Sequence, residues 1–205
     1  MLKSLKLFTT IILSANLAFA NSADDINTSK DFITKLSEDT ISLIQDTKLE
    51  EKKKFNLLKD KFLENVDIKW ISRFVLGPNF RELTSAQQDE FSNLYREFLV
   101  NAYVPKFKEF NQDKIRIESA SQIGEHRYKV STLIDRVNNP DVKVEYMIKP
   151  SQTKVGSLQI YDIVAEDVSM ITNHRTEFTS VIAEKGYDGM IAHLKKMINQ
   201  EKRMD

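Results

Sequence analysis

The chain has 205 residues, with 30 Lys and Arg set against 30 Asp and Glu, and it has no cysteine. That length suits one domain with one sizeable core. The missing cysteines exclude disulfides, thiol catalysis and Cys-ligated zinc, and the balanced charge gives no electrostatic reason to expect nucleic acid as a partner.

The chain opens on a short basic stretch, Met1 to Lys6, followed by a mostly apolar run from Leu7 to Leu17 and by Ala18-Phe19-Ala20, a small-x-small cleavage pattern. Residues 1–20 are therefore expected to be a secretory signal peptide, and residues 21–205 a single domain delivered across the inner membrane. The alternative is a membrane anchor. Against it, Thr9, Thr10, Ser14 and Asn16 interrupt the run, which falls short of the about 20 apolar residues a bilayer requires.

From Thr28 to about Val104 the pattern is helical. Phe32, Leu36, Thr40 and Leu43 repeat at the spacing of one helix face, as do Leu58, Phe62 and Val66. A third helix is expected over Ile68 to Leu76, ending at Gly77-Pro78 because proline cannot continue the hydrogen-bond ladder. A fourth starts at Thr84, where Thr84-x-x-Gln87 forms a capping box ahead of Phe91, Leu94, Tyr95, Phe98, Leu99 and Tyr103.

After Phe110 the period changes to two. Ile115 and Ile117 alternate with charged neighbours, and two further runs alternate through Tyr128 to Ile134 and through Val142 to Ile148. A fourth strand, Leu158 to Val164, is apolar on both parities except at Gln159 and Asp162. Gly124, Asn138-Asn139-Pro140 and Val155-Gly156-Ser157 are turn signals between them, so a four-stranded antiparallel meander is expected. Two helices follow, one from about Ser169 to a stop near Gly186 and one carrying Ile191, Leu194 and Ile198. The expected fold class is α+β: a curved four-stranded antiparallel sheet packed with about six helices.

Catalytic signatures are missing. There is no Gly-x-Ser-x-Gly elbow, no phosphate-binding glycine loop and no His-Glu-x-x-His, and the three histidines at 126, 174 and 193 lie far apart. Asp162 and Glu166-Asp167 read better as caps or solvent-facing acids than as paired catalytic carboxylates, and His174 as a surface residue of an early helix turn. No enzyme activity, metal or cofactor is expected.

Two segments carry a family resemblance. Asp67-Ile68-Lys69-Trp70-Ile71-Ser72-Arg73-Phe74-Val75-Leu76-Gly77 is followed by Leu83-Thr84-x-x-Gln87 and the Phe91 to Tyr103 helix. Tyr161 to Ser169 is followed by Asn173-x-Arg175-x-x-Phe178 and by Gly186-x-x-Gly189-Met190-Ile191-x-x-Leu194. Together they resemble the MlaC-type family of periplasmic phospholipid-binding proteins, also called the toluene-tolerance family. The resemblance implies a periplasmic carrier that holds lipid tails in an apolar cavity between sheet and helices. Its implied partners are phospholipid, an outer-membrane lipoprotein complex, and the substrate-binding subunit of an inner-membrane ABC transporter. Trp70 departs from the family pattern, since many members carry a different aromatic or apolar residue there.

Physical reasoning agrees with that implication. Exposing lipid tails to water costs roughly 0.8 kcal/mol per CH₂, on the order of 25 kcal/mol for two long chains, so a carrier needs an apolar lining and no catalytic group. The expected lining is Phe74, Val75, Phe98, Leu99 and Tyr103 on the helices. On the sheet it is Tyr128, Val130, Val144, Tyr146, Ile148 and Ile160. Each of these equally suits an ordinary packed core. Arg73, Arg136 and Arg175 are the candidates for a head-group phosphate, because a guanidinium can offer two parallel hydrogen bonds. The competing reading is a periplasmic adaptor that binds proteins through its charged helical surface and has no ligand cavity.

Overall fold

The structure, a computed structural model, describes residues 12–110, 114–137 and 140–204. Helix α1 runs Ile12–Gln45, so helix begins well upstream of Thr28 and inside the segment expected to be a leader, whose residues 1–11 lie outside the described residues. The buried line on α1 is Ser29, Ile33 and Ile44, with Phe32, Leu36 and Leu43 beside it and only partly covered. The face is thus centred about one residue further on than the spacing predicted.

Helix α2 spans Glu51–Asn65 and buries Leu58 and Phe62. Helix α3 spans Ile68–Leu76 as expected, capped by Asp67, whose carboxylate accepts the Trp70 N–H at 3.0 Å. Gly77 closes it at φ 56°, ψ −129°, a conformation that L side chains rarely adopt. A one-turn helix α4, Asn79–Glu82, was not expected and leads into α5, Ser85–Tyr103. The α5 capping box is formed: Thr84 Oγ1 accepts the Gln87 N–H at 3.3 Å, and Gln87 Oε1 accepts the Thr84 N–H at 3.0 Å. A short 3-10 helix, Pro105–Phe110, ends the helical half.

Strands β1 (Lys114–Gly124), β2 (Arg127–Asp135), β3 (Val142–Pro150) and β4 (Leu158–Ala165) form the expected antiparallel meander. The strand count needs correcting. A two-residue β5, Val168–Ser169, pairs back onto β4 across a turn in which Glu166 and Asp167 both take positive φ. That is the backbone of a two-residue hairpin, but Glu-Asp lacks the glycine or asparagine that usually announces one. Of the turn between β2 and β3, Asn138 and Asn139 lie outside the described residues.

Helix α6, Met170–Met204, is two helical runs broken at Gly186 (φ 67°, ψ −172°), close to where the sequence placed the stop. Asp162 of β4 caps its start, accepting the Ser169 hydroxyl at 2.7 Å and the Ile171 N–H at 3.2 Å. One contiguous apolar cluster joins residues of all the long helices to β2, β3 and β4. The closest helix approaches to the sheet are at its margins: α1 lies on β1 and β2, while α2, α3 and α6 lie against β4.

Candidate functional site

Strand register builds one wall of the site. Tyr128 stands opposite Ile148, Val130 opposite Tyr146, and Thr132 opposite Val144, while across the β3–β4 bulge Ile148 stands opposite Ile160. Directly opposed residues in an antiparallel pair project from the same face, so all six strand residues expected to form a lining share one face. Polar tethers hold that face in place. The Tyr128 hydroxyl donates to Asp25 of α1 at 2.8 Å, and Thr132 Oγ1 donates to the Val144 carbonyl at 3.0 Å. Burial pushes the Tyr146 and Tyr128 hydroxyls up to about 12.

The helical wall comes from α3 and α5. Val75 and Leu99 are wholly buried, Phe98 nearly so, and Phe74 and Tyr103 half-buried. Ten of the eleven expected lining residues belong to the contiguous apolar cluster or pack on it. Val144 is buried outside that cluster.

Behind Phe98 lies a feature the sequence hid. His174, expected on the surface, is 5 % exposed and sits among the rings of Tyr95, Phe98, Tyr103 and Phe178. Its Nδ1 shares a hydrogen bond with the Tyr95 hydroxyl at 2.8 Å, and its Nε2 lies 3.4 Å from the Tyr103 hydroxyl. Burial pulls the imidazole down to about 4, so it is neutral near pH 7, and pushes the Tyr103 hydroxyl up to about 12. Through these hydroxyls and rings the imidazole ties α6 to α5.

The three arginines separate. Arg73 and Arg175 line one groove of about 640 Å³ together with Trp70, Phe74, Gly77, Phe80, Arg81 and Gln88. Arg136 is not among its lining residues; it lies just past β2, where its N–H donates to Asp141 at 3.3 Å. Arg175 is held by the first family segment: its Nη1 donates to the Phe74 carbonyl at 3.2 Å, and its guanidinium lies 4.8 Å from the Phe74 ring centre. Gly77 makes that approach possible, since a Cβ there would lie 2.8 Å from Arg175 Nη2. The two segments that carried the resemblance therefore meet in space. A second recess of about 750 Å³, edged by Phe32, Leu63 and Leu158, lies between α1, the end of α2 and the β3–β4 turn.

The family model described as MlaC protein matches residues 34–196. The chain belongs to the MlaC family. It is 21% identical over 145 residues to the intermembrane phospholipid transport system binding protein MlaC of Haemophilus influenzae, covering 70% of this chain and 68% of that one. Its fold matches that of a phospholipid-binding protein from Ralstonia solanacearum, whose structure was solved in complex with a phospholipid. The TM-score is 0.73 at 17% identity, covering 84% of this chain and 97% of that one. This MlaC-family chain has, among its described residues, no helix long and apolar enough to cross a membrane, and no group of three or more His, Cys, Asp or Glu able to hold a metal ion.

Proposed function

We propose that this MlaC-family protein binds phospholipid by its acyl chains and carries it through the periplasm between the outer and inner membranes, after removal of residues 1–20. The observation that carries the reading is the register-locked apolar face of β2, β3 and β4, most of whose residues join those of α3 and α5 in one apolar cluster. Among the described residues no helix comes as close to β3 as α1 does to β1 and β2 or as α2, α3 and α6 do to β4, so acyl chains lying over β3 would replace side-chain contacts without loss of apolar burial. The phospholipid named for the Haemophilus and Ralstonia proteins supports the choice of cargo. The role is binding rather than catalysis, since the buried imidazole is enclosed by aromatic rings and the Asp162 carboxylate is occupied as a helix cap.

On this reading Arg136 is the remaining head-group candidate of the three, since Arg73 and Arg175 line a groove on the helical layer away from the sheet face. The carrier docks in turn on an outer-membrane lipoprotein complex and on the substrate-binding subunit of an inner-membrane ABC transporter. The test is transfer of a fluorescent phospholipid from donor to acceptor vesicles. Transfer that scales with protein concentration is the expected result, and a rate equal to the protein-free control contradicts the reading. The adaptor reading has one observation in its favour: seven of the expected lining residues are buried within the packed apolar cluster.

A further inference from the structure

The groove that gathers Arg73, Arg81 and Arg175 has a composition unlike the rest of a chain with balanced charge: its lining holds three guanidinium groups and no carboxylate. Among the described residues none of the three forms an ion pair. Its floor is rigid. Trp70 stacks on Phe74 with ring centres 5.2 Å apart and planes 16° from parallel, and the Arg175 guanidinium also lies against the Phe74 ring, 4.8 Å from its centre. An arginine fixed by a carbonyl and a ring has less freedom to lose when an anion arrives.

We propose that this groove is a docking site for an acidic segment of a partner protein. Its walls come from α3, the Gly77-Pro78 turn, α4, α5 and α6, with no strand residue, so it opens on the helical layer and not on the sheet face assigned to the lipid tails. That placement argues against the cargo's own head group as occupant. A membrane surface is a poor fit as well, because a flat bilayer cannot bring its phosphates into a concave groove between helices. A single peptide segment can enter and set planar carboxylates against the guanidinium forks, while an apolar side chain meets Trp70 or Phe80.

Trp70 is the sole tryptophan of the chain and lies in the groove, so its fluorescence reports occupancy. The probe is an acetylated, amidated hexapeptide of four glutamates with one leucine and one phenylalanine, compared with its glutamine counterpart and with phosphatidylglycerol vesicles. The expected result is a saturable change with the acidic peptide alone, weakened roughly tenfold or more in the exposed-site variant Arg81→Glu, as loss of a charge-assisted pair requires. Co-purified lipid is measured on the same samples and should be unchanged in Arg81→Glu. No response to the acidic peptide, an equal response to the glutamine peptide or to vesicles, or loss of lipid in Arg81→Glu would overturn the proposal. A wild-type protein that binds the peptide but holds no lipid would instead contradict the carrier reading and leave the docking site standing.

Discussion

Lys149 of β3 donates to the Asp67 carboxylate at 2.6 Å, and the same carboxylate caps α3 through the Trp70 N–H. Both side chains are nearly buried, and Lys149 also lies 5.2 Å from the Trp70 ring centre. The pair therefore fixes the start of α3 against the sheet, where the Asp67 N–H also donates to the Ile160 carbonyl at 2.9 Å. Removing one partner strands a buried charge. Asp67→Ala is expected to lower unfolding free energy by about 3–5 kcal/mol in urea denaturation, while the double change Asp67→Leu with Lys149→Met should recover most of that loss.

A pH dependence follows from His174. Its folded pKa, about 4, lies below the unfolded value near 6.5, so between those values the unfolded chain binds more protons. Stability is therefore complete above about pH 6.5 and falls as pH drops toward 4, by about 3 kcal/mol. Asp162 works in the opposite direction, because burial raises its carboxyl above the usual range and its protonation favours the folded state as pH falls. The difference between wild type and His174→Gln isolates the imidazole: denaturation curves from pH 7 to 4 should converge if the assignment is right, and parallel curves would refute it.

Much of this fold was legible because its signals are local. The Thr84-x-x-Gln87 capping box, the Gly77-Pro78 stop and the period-two runs of β2 and β3 each depend on neighbours within a few residues. The sheet face was legible for the same reason, since alternation fixes which residues share a side. The burial of His174 was not, because its partners Tyr95 and Tyr103 are more than seventy residues away and nothing in Asn173-His174-Arg175 records them. Arg81 escaped notice in a one-turn helix, and Arg136 follows a strand while the groove is lined by helices and the turns between them, a separation no local motif records.

Charge placed on the register-locked face tests the lining. Val144 stands opposite Thr132 and Ala165 and is 7 % exposed, so Val144→Asp puts an unpaired carboxylate where acyl chain is proposed to lie. A folded variant, checked by circular dichroism, should lose co-purified lipid. Full lipid content in a folded Val144→Asp would remove this residue from the lining.

On the proposed carrier role, release of bound lipid is expected to part the sheet from the helices. The β1–β2 turn around Gly124 is exposed, whereas Tyr128 just beyond it is tethered to Asp25 of α1, so that tether is expected to resist the parting. In a chain without native cysteines, a disulfide between β2 and α1, placed where Cα atoms lie within about 7 Å, should preserve bound lipid and block its transfer until reductant is added. Transfer at the normal rate with the bridge closed would show that release takes another route.

Occupation of the space between sheet and helices by acyl chains is tested most directly by native mass spectrometry of protein purified without detergent. The carrier account predicts a protein peak accompanied by a discrete added mass of phospholipid size, removable by organic extraction. A bare polypeptide mass alone, from protein shown to be folded, would contradict it and favour the adaptor.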